Sequence, residues 1–507
     1  MRLTEAVATG RSTADFEEFL ERYRTDLRHA FHVRANADRL ALRRGVPPHV
    51  MRHIRASDPF VVYVPKEYGG RGGHIHEGLA VLAASSYESL ALSLTFGINW
   101  ALFLQPLAKY GQEEVKGTIF QRFLREKHMG GLMITEPEYG SDALSMQTSF
   151  IEEEDVYHIR GTKHWGGLTG WADYWLLAAR RETDTGLQRD IDFFICDVNS
   201  PGQHIEVEEY FENLGLYMIP YGRNRIDVRV PKTHRLEPKR TGVLMMLDIL
   251  HRSRMQFPGM GMGFLQRLLD EALRHCKERV VGGAKLFSYD QVQQRLARLQ
   301  AAFTVCSAMC TYSSEHAHLS RDLMRMGLVA NAIKTVITDL MQEASQSLLQ
   351  LVGAKGYRID HIAGRATVDS RPFQIFEGSN DILYQQITES VLKEMRKVKE
   401  SALLAHLSRH ELTSRAADYF RDVLNFKIDF TLPQRKLVEL GRAIARIISM
   451  EFVLELGERG FRSDLIRSAV DVIRQDVVKL LSSYQASHAA DVVCEYEEES
   501  SWLQFVR

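Results

Sequence analysis

One carboxylate stands out in the C-terminal half of the sequence: Glu377, which follows Ile375 and Phe376 and precedes Gly378 in QIFEGSNDI (374–382). An acid seated among apolar side chains loses hydration of its charged form, so its pKa rises and it becomes a better proton acceptor. Its plainer reading is an exposed acid at a helix start, favoured by the helix dipole. Trp165 closes YHIRGTKHW (157–165) and offers a flat apolar ring, although a strand tryptophan taken alone is core packing. Thr135 and Ser141 fall in MITEPEYGSD (133–142), where a hydroxyl binds a ligand or caps its own turn. The segment QLVGAKGY (350–357) is a Gly-rich turn of the kind that ends helices. Arg279, in CKERVVGG, is on its own a solvated helix charge.

The elements that must hold these residues follow from pattern and length. A chain of 507 residues is long enough for three to five structural units and a deep buried site. Its 45% hydrophobic and 25% charged residues are those of an ordinary globular protein. Lys plus Arg (64) balances Asp plus Glu (65), so no global field favours nucleic acid or an anionic membrane. Five cysteines (196, 276, 306, 310 and 494) are too few and too irregular for a disulfide framework or a zinc site, and Cys306 with Cys310 reads as packing on one helix face. The first residues lack an apolar targeting core, and no stretch is expected to reach the roughly 18 apolar residues of a membrane span. A cytoplasmic location is expected.

Periodicity divides the chain into a helical domain (1–130), a middle β domain (131–240), a helical domain (241–400) and a helical extension (401–507). The first is interrupted by the turn PKEYGGRGG (65–73). The second carries short β-type runs such as DYWLLAARR, DFFICDV and NRIDVRV, which predict a small barrel or sandwich. Long amphipathic stretches around 244–280, 287–318, 320–352 and 379–400 predict a four-helix bundle, giving an α+β fold class. In the extension, Leu437, Leu440, Ile444, Ile447 and Ile448 form one apolar stripe, and Leu465, Ile466, Ala469, Val470, Ile473, Val477 and Leu480 another, so both helices need a partner surface. The run EYEEES (495–500) reads as a solvated charge patch.

Taken in order, PKEYGG, AKYGQEEVK, TEPEYGSD, the KHW of GTKHW, LGLYMIPYGRNRIDVRVP and QIFEGSNDI resemble the acyl-CoA dehydrogenase family over roughly residues 40–395. The resemblance implies FAD as cofactor and Glu377 as the base that removes an α-proton while the flavin takes a β-hydride. The acyl thioester carbonyl would be polarised by the base residue's backbone N–H and a ribityl hydroxyl, because the α-proton is too weakly acidic for an unaided carboxylate. By the same resemblance Thr135, Trp165, Gly167, Ser379 and Asp381 address FAD. Arg279 with Gln350 and Gly353 supplies its pyrophosphate contacts, partly to a neighbouring subunit. Ser141, on the CoA side as well as the cofactor's, joins Arg254 and Gly378 as substrate residues. An electron-transferring flavoprotein is the implied acceptor.

Several positions depart from the family pattern. Gly166, Gly167 and Leu168 follow Trp165 where an aliphatic residue and then a Thr or Ser would address flavin N5, leaving Thr169 or a backbone amide to do so. Ala354 stands for a second glycine, Gly282 for a Phe, Asp290 for a FAD-contacting Gln, His251 for a substrate-side acid and Glu389 for an Arg. An acyl group carried by an acyl carrier protein therefore stands beside an acyl-CoA as substrate, and a flavin monooxygenase of the same fold or a non-catalytic assembly protein as rival functions. The extension is similar to that of the family's long-chain, membrane-associated branch, which implies a homodimer; the mixed charge of its polar faces argues against membrane binding.

Overall fold

The computed structural model describes residues 2–486 and residue 492, so Cys494 and the acidic run 495–500 lie outside the described residues. The N-terminal part is helical, with α1 (Arg2–His29), α2 (Ile75–Glu88) and α3 (Leu90–Asn99). From α3 the chain continues through a π-helical turn (Trp100–Leu104) into Gln105–Tyr110. This Leu90–Tyr110 rod is long and apolar enough to cross a membrane, contrary to the expectation that nothing reaches that length, but 94% of its most apolar window is buried. It is the core helix around which the others pack: Phe96, Trp100, Phe103 and Leu104 are all enclosed.

The middle part is one curled sheet. Its strands are β1 (Gly130–Met133), β2 (Ser149–Glu152), β3 (Val156–His164), β4 (Tyr174–Thr183), β5 (Asp192–Asp197), β6 (Glu206–Tyr210) and β7 (Gly222–Pro231). They lie in the order β1-β4-β2-β3-β7-β6, with β5 also paired to β4. The β3–β7 ladder runs antiparallel from Val156↔Pro231 to His164↔Arg223. Along β7, Asn224, Ile226, Val228 and Val230 turn inward while Arg225, Asp227 and Arg229 face out, as period-2 alternation requires. Inside the sheet, the buried rings of Phe150, Tyr157 and Phe194 contact one another.

After residue 241 the chain is helical again. The stretch expected as one helix over 244–280 is two, α4 (Gly242–Arg254) and α5 (Phe257–Glu278), broken at Met255 and Gln256. Pro258 explains the restart, because a proline in the first helical turn forfeits no intrahelical hydrogen bond. With α5, the helices α6 (Asp290–His316), α7 (Gly327–Val352) and α8 (Asn380–Lys397) form the expected bundle. In the extension, α9 (Gln434–Glu458) packs on α6, α7 and α8, and α10 (Ser463–Gln485) packs on α9 and α6. Leu440, Ile444, Ile447 and Ile448 are enclosed, as are Ala469, Ile473 and Val477. At roughly 1.5–3 kcal/mol per fully buried large aliphatic side chain, these stripes anchor the extension to the bundle.

Candidate active site

Glu377 sits in the short loop between Gln374 and α8, where φ is +57° at Glu377 and +91° at Gly378. A left-handed glutamate is uncommon and costs free energy, so its surroundings must hold it there. They do so through buried cations. Arg254, at the end of α4, donates to the Glu377 carbonyl from Nη2 (2.8 Å) and Nε (3.2 Å), and from Nη1 to Asn331 Oδ1 (2.7 Å). Lys334, fully enclosed on α7, donates to the Gly378 carbonyl (2.9 Å) and to Asn380 Oδ1 (2.8 Å). Two successive peptide carbonyls are thus pinned, which fixes where the Glu377 side chain leaves the backbone.

The carboxyl group itself is held by one bond. Ser253 Oγ donates to Oε1 at 2.7 Å, while Oε2 is buried with no hydrogen-bond partner among the described residues. Residue 377 as a whole keeps some exposure, but that oxygen is shut off from solvent. Burial pushes the Glu377 pKa up, against the lowering effects of Ser253, Arg254 and Lys334. Burial also pushes Arg254 down to about 10, and burial with the Arg254 charge pushes Lys334 down to about 7. A carboxylate with one tethered oxygen, one free oxygen and an elevated pKa is equipped to accept a proton from a ligand atom brought beside it.

In the β domain, Trp165 lies just past β3 rather than within it, at φ +58° and with 53% of its surface exposed. One side of the ring packs on Phe211 (4.6 Å between centroids) and Tyr221 (6.2 Å). Thr135 is brought beside it because its carbonyl accepts from His164 N–H at 2.8 Å, and its hydroxyl makes no hydrogen bond among the described residues. Gly167 abuts Ile98 of α3 and Tyr221, and the preceding helix position, Gly97, abuts Met260 of α5, so α3 spans the space between the sheet and the bundle. Thr169 does not take the place of the missing hydroxyl: buried, it donates to the Gly166 carbonyl (2.7 Å) and accepts from Asn224 (3.0 Å). Ser141 is exposed on the loop after Glu136.

Other expected residues lie elsewhere. Arg279 ends α5, exposed and without an ion pair among the described residues; Gln350 and Gly353 end α7, also exposed. From Lys334 to that terminus α7 rises roughly 28 Å at 1.5 Å per residue, so these groups stand at the far end of the bundle from Glu377. Gly282 has a local reason: with Gly283 it turns a two-residue hairpin at φ +59° and +81°, a conformation closed to the expected Phe. Asp381 forms an exposed ion pair with Arg442 of the extension (2.9 Å), and Ser379 precedes α8 without capping it. His251 is buried against the Leu323 carbonyl (2.7 Å), its pKa pushed by burial to about 4, so it acts as a neutral tether and not as a charged substrate-side group. Asp290 accepts the Gln291 N–H, and Glu389 accepts from Gln385 on the surface of α8.

Sequence reasoning missed Ser253, Asn331 and Lys334. A signal existed: Asn331, Lys334 and Thr338 recur at helical spacing, so a polar stripe runs down a buried face of α7. It also missed the use of the signature's own charges. Glu136 accepts from Lys163 (2.9 Å) and from the backbone N–H groups of Gln147 and Thr148, a buried pair that closes the 136–148 loop.

The chain matches the family profiles described as acyl-CoA dehydrogenase, N-terminal domain (residues 15–127), middle domain (131–228) and C-terminal domain (240–392). An acyl-CoA dehydrogenase of Bacillus subtilis is 25% identical over 324 residues, which span 63% of this chain and 83% of the relative. In fold, the chain is similar to butyryl-CoA dehydrogenase from Megasphaera elsdenii (TM-score 0.64, 20% identity, 74% of this chain and 98% of the other). It is also similar to an acyl-CoA dehydrogenase complexed with FAD from Bacillus anthracis (TM-score 0.76, 16% identity, 93% and 87%), a likeness that reaches into the extension. With all three domains matched in order, this chain belongs to the acyl-CoA dehydrogenase family of FAD-dependent oxidoreductases.

Proposed function

We propose that the protein catalyses α,β-dehydrogenation of an acyl-CoA thioester, with Glu377 as the base. The observation that carries the reading is the free, buried Oε2 of Glu377 on a backbone that Arg254 and Lys334 hold in the left-handed region. The chain's residues fit FAD: the open face of Trp165 suits a flat ring, and the unengaged Thr135 hydroxyl suits its polar edge. When bound, the flavin supplies acceptance of the β-hydride. Glu377 takes the α-proton onto Oε2, and its own backbone N–H, with the carbonyl drawn aside by Arg254, is left to polarise the thioester oxygen. The apolar neighbours Phe257, Phe373 and Phe376, whose rings lie within 5.0–6.1 Å of one another, keep water from the acid.

The far-end groups serve a second copy. Arg279, Gln350 and Gly353 are exposed and roughly 28 Å along the bundle from Lys334, so they suit the pyrophosphate of a neighbouring subunit's FAD, and the active unit is at least a dimer. An electron-transferring flavoprotein is the proposed acceptor and the cytoplasm the proposed compartment. A carboxylate at 377 supports dehydrogenation over a monooxygenase reaction, which has no use for an α-proton acceptor. Purified protein should show flavin absorbance that bleaches on anaerobic addition of an acyl-CoA from a chain-length panel; no bleaching with any acyl-CoA overturns the reading.

A further inference from the structure

The base loop hangs on one carboxylate of α7. Asp339 accepts from Gln374 (2.6 Å) before Glu377, from Asn380 (2.7 Å) after it, and from the Tyr384 hydroxyl (2.6 Å). Asn380 in turn accepts from Lys334, which holds the Gly378 carbonyl. Tyr384 is fully buried beneath the extension. A Cβ on Gly441 of α9 would lie 2.0 Å from the Tyr384 carbonyl and 3.0 Å from Thr388 Oγ1, so α8 and α9 meet backbone to backbone at this point. Thr388 Oγ1 donates to the Leu437 carbonyl (2.6 Å) one turn away, and buried Arg446 bonds to Glu343 of α7 (2.9 Å). The contact is therefore keyed to α8 and α7 by specific bonds as well as by the apolar stripe.

We propose that α9 of the C-terminal extension is a positioning element for the catalytic base: by seating α8 it fixes Tyr384, Asp339 and Asn380, and through them the conformation at Glu377. The inference rests on the reading of Glu377 as base. A helix that merely covered the bundle would need no backbone contact at Tyr384 and no bonds to Thr388 and Glu343.

The test compares wild-type holoenzyme with Gly441→Val, Tyr384→Phe and Glu315→Gln. Gly441→Val pushes the helices apart; Tyr384→Phe removes only the hydroxyl on Asp339; Glu315→Gln breaks the Arg459–Glu315 pair that ties the C-terminal end of α9 to α6, at the other end of α9 from Gly441. Because a misplacement of about 1 Å costs on the order of 10²-fold in rate, Gly441→Val should lower kcat by about that factor, with KM within about two-fold and FAD content unchanged. Tyr384→Phe should lower kcat about 10-fold and shift the acidic limb of its pH profile, while Glu315→Gln keeps wild-type kcat. If Gly441→Val fails to fold, Tyr384→Phe decides. Wild-type kcat and pH profile in Tyr384→Phe, or an equal loss of kcat in Glu315→Gln, overturns the inference. Failure of the base reading is separate: it shows as wild-type protein that no acyl-CoA bleaches.

Discussion

The two ends of α7 are built on opposite principles. At its start, Asn331 and Lys334 are enclosed, every donor on Arg254 and Lys334 that reaches the base loop has an acceptor, and one residue is held in a costly conformation. At its far end, Gln350 and Gly353 lie in solvent beside exposed Arg279, and Tyr357 is 84% exposed. A buried charge must be paired within the chain or it unfolds the site, whereas an exposed arginine costs nothing until a ligand arrives. The near end is thus paired within one chain; the far end, on the proposed reading, meets its ligand in a second copy.

The comparison breaks most sharply at Glu377. Glu377→Gln keeps the shape and should retain FAD while losing about 10³–10⁴-fold in kcat, read by anaerobic flavin bleaching; near-normal turnover removes Glu377 as base. Next, Arg254→Met leaves the Glu377 carbonyl and Asn331 without their donor in a closed site. It should cost about 3 kcal/mol of stability, seen as a lowered denaturant midpoint, with FAD binding weakened only secondarily. A midpoint within error of wild type would show that the loop holds itself.

The far end is sharpened by mixing subunits. Arg279→Ala should fold normally but lose FAD occupancy, and it should be inactive like Glu377→Gln. Refolded together, the two should recover about a quarter of wild-type activity, because half of the dimers are mixed and each mixed dimer has one intact site. No recovery would place Arg279 and Glu377 in the same subunit's site.

Smaller still is a pH effect at the near end. Lys334 has a folded pKa of about 7, below the unfolded value near 10.4, so between those pH values the unfolded chain binds more protons and stability rises with pH. Lys334→Met should flatten that rise between pH 7 and 9; an unchanged slope removes Lys334 as its source. The smallest change is expected at the surface, where Asp381→Asn should alter stability by less than about 0.5 kcal/mol, since its pair with Arg442 is exposed. A loss above about 1 kcal/mol would make that pair part of the base-loop frame.

Residues in continuous motifs were legible in the sequence. QIFEGSNDI marked Glu377, KHW marked Trp165, and the apolar stripes of the extension demanded the partner they have. The Lys163–Glu136 pair and the Arg254, Asn331 and Lys334 frame were not legible, because they join positions 27 to 123 residues apart that no local pattern connects. Thr169 looked like a substitute hydroxyl because it is close in sequence to the missing one. Two internal hydrogen bonds turn it away.

Sequence alone determined the succession of helical, β and helical domains, the family, and the acid proposed as the base. Each depends on periodicity or on a short run of residues, which a linear reading preserves. Only the tertiary structure decided that Glu377 keeps one oxygen free, that two buried cations hold its loop, and that the extension backs the helix it leads into. Those depend on burial, which is a property of surfaces that meet only when distant segments fold together.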